Sequence, residues 1–196
     1  MISSFYSTFI DRAMRQLRRA IPEFAGMKTG EQALDVCCGT GDQAVYYAKR
    51  GLNAWGIDLD EKMIAVAGSR KKNYGKDNLN FMVADAAALP FDDGIFDYTT
   101  VSLALHEKPL ALQRQVVREM RRVTKKGGVV ILADFGVPSG WFIRLIERLV
   151  GGEHYACFKA YQASGGLDNL AESLNLNIEK RGGVMVRGVA LFLIRN

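Results

Sequence analysis

Hydrophobic and polar residues follow two different periods along the chain. Short apolar runs, which fit strands buried on both faces, alternate with segments in which apolar residues recur every three to four positions, as in amphipathic helices. The predicted strands are 32–36, 54–57, 79–83, 96–101 and 129–133, and the predicted helices between them are 42–50, 61–73 and 110–124. This alternation predicts an α/β fold with a Rossmann-like, doubly wound, mostly parallel sheet that carries helices on both faces.

The two ends of the chain depart from this alternation. Apolar residues recur at helical spacing over residues 5–17, which predicts an N-terminal amphipathic helix. After a further helix near 167–174, the segments 177–180 and 184–194 have the pattern of strands, and only residues 181–183 connect them. Because so short a connection permits only an antiparallel hairpin, we expect the C-terminal end of the sheet to be one.

The length of 196 residues predicts a single domain. Its expected parts are a helical cap, a cofactor-binding core, a lid or substrate region and a terminal hairpin, at 1–29, 30–138, 139–175 and 176–196. No apolar run reaches the roughly 18 residues that span a bilayer. The formal net charge is +5, and the basic clusters are typical of solvated helix faces, so we expect neither nucleic acid binding nor an integral membrane segment.

Cysteine usage bears on the compartment and on metal binding. The chain has three cysteines, of which Cys37 and Cys38 are adjacent. These are too few for a disulfide framework, and no cysteine or histidine set has the spacing of a metal site. We therefore expect a cytoplasmic protein that binds no metal ion.

The segment Leu34–Gln43 carries the strongest chemical signal. Asp35 lies within the end of the first predicted strand, and a Gly-x-Gly turn at Gly39 and Gly41 leads directly into a helix. Such a turn lets backbone N–H groups and the positive end of a helix approach a small polar ligand. Because Asp35 can hold a cationic group, the segment favours a nucleoside with an amino-acid tail over one with a pyrophosphate.

Carboxylates recur at the ends of four predicted strands: Asp35, Asp58, Asp85 and Asp134. In open α/β sheets, ligands bind outside the carboxyl ends of the strands, so we expect these acids to lie along one ligand-binding edge. Asp58 can accept hydrogen bonds from ribose hydroxyls, and Asp85 can accept one from the exocyclic amine of a base. Leu59 and Met63 are apolar and placed to cover a base face, although core packing is the expected role of Met63 taken alone.

A dinucleotide is the competing interpretation of this segment. Gly39, Gly41 and Ala44 satisfy G-x-G-x-x-A, and Asp58 follows Gly41 by 17 positions. That fingerprint is weak by itself, and Asp42 at the start of the helix would repel a pyrophosphate where the helix dipole should attract it. A NAD(P)-dependent oxidoreductase is therefore the alternative function.

Four segments together resemble the class I S-adenosylmethionine-dependent methyltransferases, and most closely the ubiquinone/menaquinone C-methyltransferase group. They are LDVCCGTGDQ, GIDLDEKMIAVA, ADAAALPFDDGIFD and EMRRVTKKGGVVILADF. The resemblance implies an enzyme that transfers a methyl group from S-adenosylmethionine to a small-molecule acceptor, quinone-like or otherwise lipophilic. A module that binds this cofactor without catalysis is a third interpretation.

The resemblance also implies roles for the matching residues. Asp35 and the glycine turn would hold the methionine moiety, Asp58 the ribose, and Asp85 with the Ala86 N–H the adenine, while the backbone at Ser102 would meet the amino group. The implied cofactor-binding residues are Asp35, Cys37, Gly39, Thr40, Gly41, Asp58, Leu59, Met63, Asp85, Ala86 and Ser102.

Residues beyond these motifs are the candidates for the acceptor end. His106 follows the fourth strand and could act as a general base, with Glu107 orienting it or replacing it; the alternative is a histidine at a helix start without a chemical role. In the lid region, His154, Tyr155, Phe158 and Tyr161 could line an acceptor pocket or form a purely structural lid, and Tyr6 could close over the cofactor. The segment 141–150 carries an apolar helical stripe. We expect the stripe to pack in the core or in a homodimer, with a mouth for a lipophilic acceptor as the alternative.

Overall fold

The computed structural model describes residues 2–184 and 188–196, with side chains described from residue 14 onward. The elements in chain order are α1 (Ile2–Ala25), β1 (Gln32–Val36), α2 (Asp42–Lys49), β2 (Asn53–Asp58), α3 (Glu61–Tyr74), β3 (Leu79–Val83), β4 (Phe96–Ser102), α4 (Leu110–Val123), β5 (Thr124–Phe135), α5 (Trp141–Val150), α6 (Gly152–Ser164), α7 (Gly166–Ser173), β6 (Ile178–Val184) and β7 (Val189–Arg195).

The strands form one seven-stranded sheet in the order β3-β2-β1-β4-β5-β7-β6. Strands β1 to β5 pair in parallel. Strand β7 runs antiparallel to both β5 and β6. This arrangement confirms the predicted fold class, a doubly wound and mostly parallel sheet that ends in an antiparallel hairpin.

The centre of the sheet is buried because its strands are apolar on both faces. Leu34 and Val36 in β1 and Ile131 and Leu132 in β5 have no exposed surface. Burying a side chain of this size stabilises the fold by roughly 1.5–3 kcal/mol. Strand β5 begins directly after α4 and runs to Phe135, which makes it longer at both ends than the apolar run 129–133 predicted.

Helix α1 confirms the predicted N-terminal helix, while the side chains at positions 5–13 of the predicted apolar face lie outside the described residues. Leu17 and Ile21 on this helix are buried against the core, and Pro22 lies in its last turn. Among the described residues, no helix is both long enough and apolar enough to cross a membrane.

The terminal hairpin differs from the prediction in the position of its turn. Gly182 and Gly183 lie inside β6 rather than between two strands. A Cβ atom at Gly182 would lie 2.6 Å from the Phe24 ring, and one at Gly183 would lie 3.1 Å from the Val189 carbonyl oxygen. These glycines therefore permit close packing within a strand, and the predicted connection at 181–183 is wrong because β6 continues to Val184.

Helix α5 also differs from the prediction. Its outward face carries large apolar side chains, and Trp141 and Leu149 are 77% and 78% exposed. Its inward face buries Ile143 together with Glu147. Within this chain the expected core packing of the stripe is therefore wrong, and the helix buries a carboxylate instead.

Candidate active site

The candidate site lies where the strand order of the sheet reverses. Strand β1 pairs with β2 on one side and with β4 on the other, so the chain leaves the carboxyl ends of β1 and β4 in opposite directions. This switch point is where ligands bind in open α/β sheets. The residues just beyond the two strands, Cys37 and Leu103, both adopt left-handed backbone conformations, with φ of 57° and 53°.

The glycine turn after β1 combines tight packing with open space. At Gly41, φ is +80°, and a Cβ atom would lie 2.5 Å from the Phe81 ring and 2.9 Å from Ala67. At Gly39, φ is +52° and a Cβ atom would meet nothing within 4 Å. Gly41 is therefore required for packing, whereas Gly39 leaves room in front of the turn.

Asp58 at the end of β2 fixes the position of this turn. Its Oδ2 accepts a hydrogen bond from the Gly39 N–H at 2.8 Å, and its Oδ1 accepts one from the Asp60 N–H at 3.0 Å. Each carboxylate oxygen retains a second lone pair. Asp58 thus has a structural role that the sequence did not reveal, and ribose binding by it stays a prediction.

Asp35 is buried beneath the turn and belongs to a hydrogen-bond network. The Tyr47 hydroxyl donates to Thr100 Oγ1 at 3.1 Å, and Thr100 Oγ1 lies 3.2 Å from Asp35 Oδ1. Burial is the main reason that the pKa of Asp35 rises to about 7; the Thr100 hydrogen bond works against this rise and the nearby Asp58 adds to it. A cation placed beside Asp35 would favour its charged form.

Two arginines compensate the charge of Asp42, at the start of α2. Asp42 pairs with Arg18 of α1 at 2.9 Å and with Arg70 of α3. The repulsion between Asp42 and a pyrophosphate is therefore weaker than the sequence indicated. Thr40, a predicted cofactor residue, places its hydroxyl 3.5 Å from the Asp42 carboxylate.

The predicted base-binding residues surround the ends of β2 and β3. Asp85 is exposed, and its Oδ1 accepts a hydrogen bond from the Ala87 N–H at 2.8 Å. Ala86 is buried, whereas Leu59 and Met63 are exposed at the start of α3. Because Met63 is 40% exposed, the core-packing interpretation of this residue is wrong.

Asp134 at the end of β5 holds His106 in a single orientation. Asp134 Oδ1 lies 2.6 Å from His106 Nδ1, and Oδ2 accepts from the backbone N–H groups of Leu105 and His106 at 2.9 and 3.1 Å. Because a carboxylate only accepts, Nδ1 carries the proton and the electron pair of the neutral ring lies on Nε2. Burial works against protonation, but Asp134, Glu107 and Glu147 outweigh it and raise the pKa of His106 above its usual value.

The lid helices bring two further groups to His106. Glu147 of α5 lies 2.5 Å from His154 Nε2 on α6, and its other oxygen lies 4.0 Å from His106 Nε2. Glu107 lies 3.8 Å from His106 Nε2 and 3.9 Å from His154 Nδ1. Sequence reasoning missed Glu147. The sequence pattern that could have revealed it is the spacing of four residues between Ile143 and Glu147, which places both on the buried face of α5.

The other lid residues divide into structural and open positions. Phe158 and Tyr161 are buried, and the Tyr161 hydroxyl donates to the Phe135 carbonyl oxygen at 2.9 Å. Tyr155 is partly exposed and stacks on Phe158. Tyr155 therefore remains open to an acceptor, while the hydroxyl of Tyr161 is already used within the fold. The side chain of Tyr6 lies outside the described residues.

The cofactor turn and the His106 cluster are neighbours. Glu107 and Lys108 are close enough to Cys37 to shift its pKa, although burial is the main reason that this pKa rises to about 11. Ser102 ends β4 between the two groups. The candidate site therefore has two ends: the predicted cofactor end at β1 and β2, and the predicted acceptor end at β4, β5 and the lid.

Comparison with known proteins places this geometry in a family. Residues 7–144 match the ubiE/COQ5 methyltransferase family, which is well over half of the chain. The chain belongs to this family. Over 116 residues it is 38% identical to the demethylmenaquinone methyltransferase of Bacillus subtilis (strain 168), a match that covers 58% of this chain and 49% of that protein. The chain spans about half the length of the curated relatives it matches.

Solved structures share the fold of this ubiE/COQ5 family member. The PH0226 protein from Pyrococcus horikoshii OT3 superposes with a TM-score of 0.74 at 20% identity, covering 95% of this chain and 90% of that one. The [4+2]-cyclase SpnF superposes with a TM-score of 0.68 at 25% identity, covering 88% and 60%. Because the fold also occurs in a protein named as a cyclase, the fold alone does not specify a reaction.

Proposed function

We propose that this ubiE/COQ5 family member transfers a methyl group from S-adenosylmethionine to a small, quinone-like acceptor. The observation that carries the proposal is the glycine turn at the sheet's switch point, open in front of Gly39 and backed by the buried Asp35. The demethylmenaquinone methyltransferases among its relatives support the quinone-like class of acceptor.

The cofactor would lie across the ends of β1, β2 and β3. In this arrangement Asp35 and the backbone from Cys37 to Gly41 hold the methionine end of the cofactor. Asp58 accepts from the ribose hydroxyls with the lone pairs that Gly39 and Asp60 leave free. Asp85 and the Ala86 N–H read the adenine between Leu59 and Met63, and the backbone at Ser102 meets the amino group.

The acceptor would lie between Ser102 and the lid. Methyl transfer from a sulfonium needs little more than alignment of donor and acceptor, so positioning is the main task of the protein. His106 supplies the base of the site, because Asp134 leaves its Nε2 electron pair available, and Glu107 stands beside it. His154 and Tyr155 border the acceptor from the lid.

The family match weighs against a nicotinamide-dependent oxidoreductase. A cofactor-binding module without catalysis is the alternative that needs a direct test, because one structural neighbour is named for a different reaction.

A thermal-shift titration with S-adenosylhomocysteine, against NADH and NADPH, tests the cofactor. A ligand at a hundredfold excess over its dissociation constant stabilises the native state by about 2.7 kcal/mol, which raises the melting temperature of a domain of this size by roughly 5–10 °C. We expect this shift with the homocysteine nucleoside alone. A shift with a nicotinamide alone would contradict the proposal.

A transfer assay with methyl-labelled S-adenosylmethionine then tests the chemistry. The acceptors are demethylated hydroquinones with short and long prenyl tails, set against polar phenols and amines of similar size. Labelled product from the hydroquinones alone is the expected result. Cofactor binding without labelled product from any acceptor would favour the non-catalytic module.

A further inference from the structure

Both histidines of this chain belong to one cluster at the acceptor end. A ring nitrogen of His106, a carboxylate oxygen of Glu147 and a ring nitrogen of His154 all lie within 4.8 Å of one another. We propose that these three side chains bind one divalent first-row transition-metal ion, of the Zn²⁺ class. The proposal goes beyond methyl transfer and concerns the metal-loaded protein: with an ion bound, His106 Nε2 is a ligand, so His106 acts as the base only in the metal-free protein.

The His106 ring is already oriented to bind a metal ion through Nε2. Asp134 lies 2.6 Å from His106 Nδ1, which leaves the electron pair on Nε2. Nε2 makes no hydrogen bond to any described residue, and the nearest carboxylate oxygens lie 3.8 and 4.0 Å away. A metal-binding histidine typically donates its other ring N–H to a carboxylate in this way.

Burial and charge make the cluster unlike a surface group of acids. His106 is 2% exposed and Glu147 is 6% exposed. Helix α5 buries the Glu147 carboxylate while it leaves Leu149 exposed, which reverses the usual preference of the two side chains. A buried carboxylate needs a compensating charge, and a divalent ion between Glu147, Glu107 and the two imidazoles supplies it.

The donor atoms identify the class of ion. Two imidazole nitrogens and one carboxylate oxygen suit Zn²⁺ and its first-row neighbours, whereas Mg²⁺ and Ca²⁺ prefer oxygen ligands alone. Zinc binds such groups at about 2.0–2.2 Å, and catalytic zinc sites with three protein ligands keep a fourth position open. Glu107 or an oxygen of the acceptor would fill that position, which favours an acceptor with a phenol-like or quinol-like oxygen.

A cobalt titration tests the site directly. Tag-free protein is treated with chelator, and Co²⁺ is added while visible absorption is recorded. We expect one equivalent of Co²⁺ to bind. Its d–d absorption should have the high intensity of four- or five-coordinate Co²⁺, and no thiolate charge-transfer absorption should accompany it. Zn²⁺ should displace Co²⁺, and a millimolar excess of Mg²⁺ should not. Because the cluster holds both histidines, ¹⁵N spectra should show Zn²⁺ perturbing both imidazoles.

Matched variants test which side chains bind the ion. Glu147→Gln and His154→Gln keep the size of each side chain, and we expect each to weaken Zn²⁺ binding by more than the about 10- to 100-fold typical of an outer-shell change. Glu153→Gln makes the same change at an exposed position next to His154, and should leave Zn²⁺ affinity unaltered. Melting curves with S-adenosylhomocysteine on each variant report whether the cofactor end remains folded.

Three outcomes would overturn the proposal. They are the absence of stoichiometric binding, thiolate charge-transfer absorption that assigns the ion to a cysteine, and equal affinity in Glu147→Gln, His154→Gln and the control. Each leaves the methyltransferase proposal intact if S-adenosylhomocysteine still stabilises the protein. Conversely, cobalt binding without any response to the nucleoside would support the metal site and refute the proposed function.

Discussion

The two ends of the candidate site are built in different ways. The cofactor end draws on Asp35, Gly39, Gly41 and Asp58, which lie close together in sequence and are positioned by two adjacent strands. The acceptor end joins His106, Asp134, Glu147 and His154 from four separate elements. Local backbone geometry governs the first, and tertiary packing governs the second. Changes at the two ends should therefore affect different measurable quantities.

The largest expected effect is on turnover, at the acceptor end. In the metal-free protein, His106→Ala removes the Nε2 electron pair and should lower kcat by at least about 100-fold, as for loss of a positioned base. The affinity for S-adenosylhomocysteine should change by less than about twofold, because no residue of the glycine turn is altered. Steady-state kinetics and calorimetry on the same preparation separate these quantities. Retained activity would show that His106 is dispensable.

The next prediction compares how strongly alanine at each of two glycines of the cofactor end destabilises the fold. Gly41→Ala combines left-handed strain with a clash against Phe81 and should destabilise the fold by about 3 kcal/mol or more. Gly39→Ala meets no neighbour, so strain of about 1–2 kcal/mol is expected, together with loss of cofactor affinity. Urea denaturation measures both. Equal destabilisation would contradict the different roles of the two glycines.

An intermediate effect is expected at the adenine position. Asp85→Ala removes a charged hydrogen bond of about 1.5–3 kcal/mol and should weaken S-adenosylhomocysteine binding about 10- to 100-fold. Asp92→Ala, at an exposed position in the same connection, is the matched control. Unchanged affinity in the Asp85 variant, measured by calorimetry, would exclude its proposed role.

A pH effect is expected from Asp35. Its pKa is raised from 3.8 to about 7 in the folded protein, so its protonated form favours folding. This contribution is complete below about pH 4 and is lost as the pH rises through 7. At pH 6 only about a tenth of Asp35 is ionised, so affinity for the cationic amino group should be up to about tenfold lower than at pH 8.

The variant Asp35→Asn isolates this contribution from the other groups that face the site, among them Asp58, Arg18 and His106. It should abolish the fall in the melting temperature of the ligand-free protein that this group causes between pH 4 and 7. An unchanged pH profile of stability in Asp35→Asn would assign the dependence elsewhere.

The smallest effect is expected on the outer face of α5. Leu149→Lys changes a side chain that is 78% exposed and should alter the free energy of unfolding by less than about 0.5 kcal/mol. Sedimentation of both proteins tests whether the stripe joins two copies of the chain. A dimer that is present in the unaltered protein and lost in the variant would show that this face packs against a second copy of the chain.

The sequence predicted the cofactor end well because its chemistry is local. Strand ends, the glycine turn and Asp58 follow from apolar runs and from φ requirements that are visible in a few residues. The hairpin was also predicted, but Gly182 and Gly183 were interpreted as its turn. Their close packing against Phe24 and β7 depends on segments that are distant in sequence, so no local pattern indicates it.

The acceptor end could be predicted only in part. His106 and His154 were recognised singly, and Asp134 was recognised as a strand-end acid, but nothing in their spacing indicated that they meet. Glu147 was overlooked because an apolar stripe normally marks the buried face of a helix. In α5 that rule fails, and local departures from such rules are common where a protein has a functional site.

The hydrogen bonds of Asp134 have a consequence for how such a site can diversify. His106 is fastened to the central sheet through this one carboxylate, whereas Glu147 and His154 are carried by two consecutive helices that begin after β5. Under the proposed function, a new acceptor preference can therefore arise by exchanging that helical segment, while the anchored imidazole and the proposed nucleoside-binding half stay unchanged. The site is modular, with a constant half and an interchangeable half joined at a single histidine.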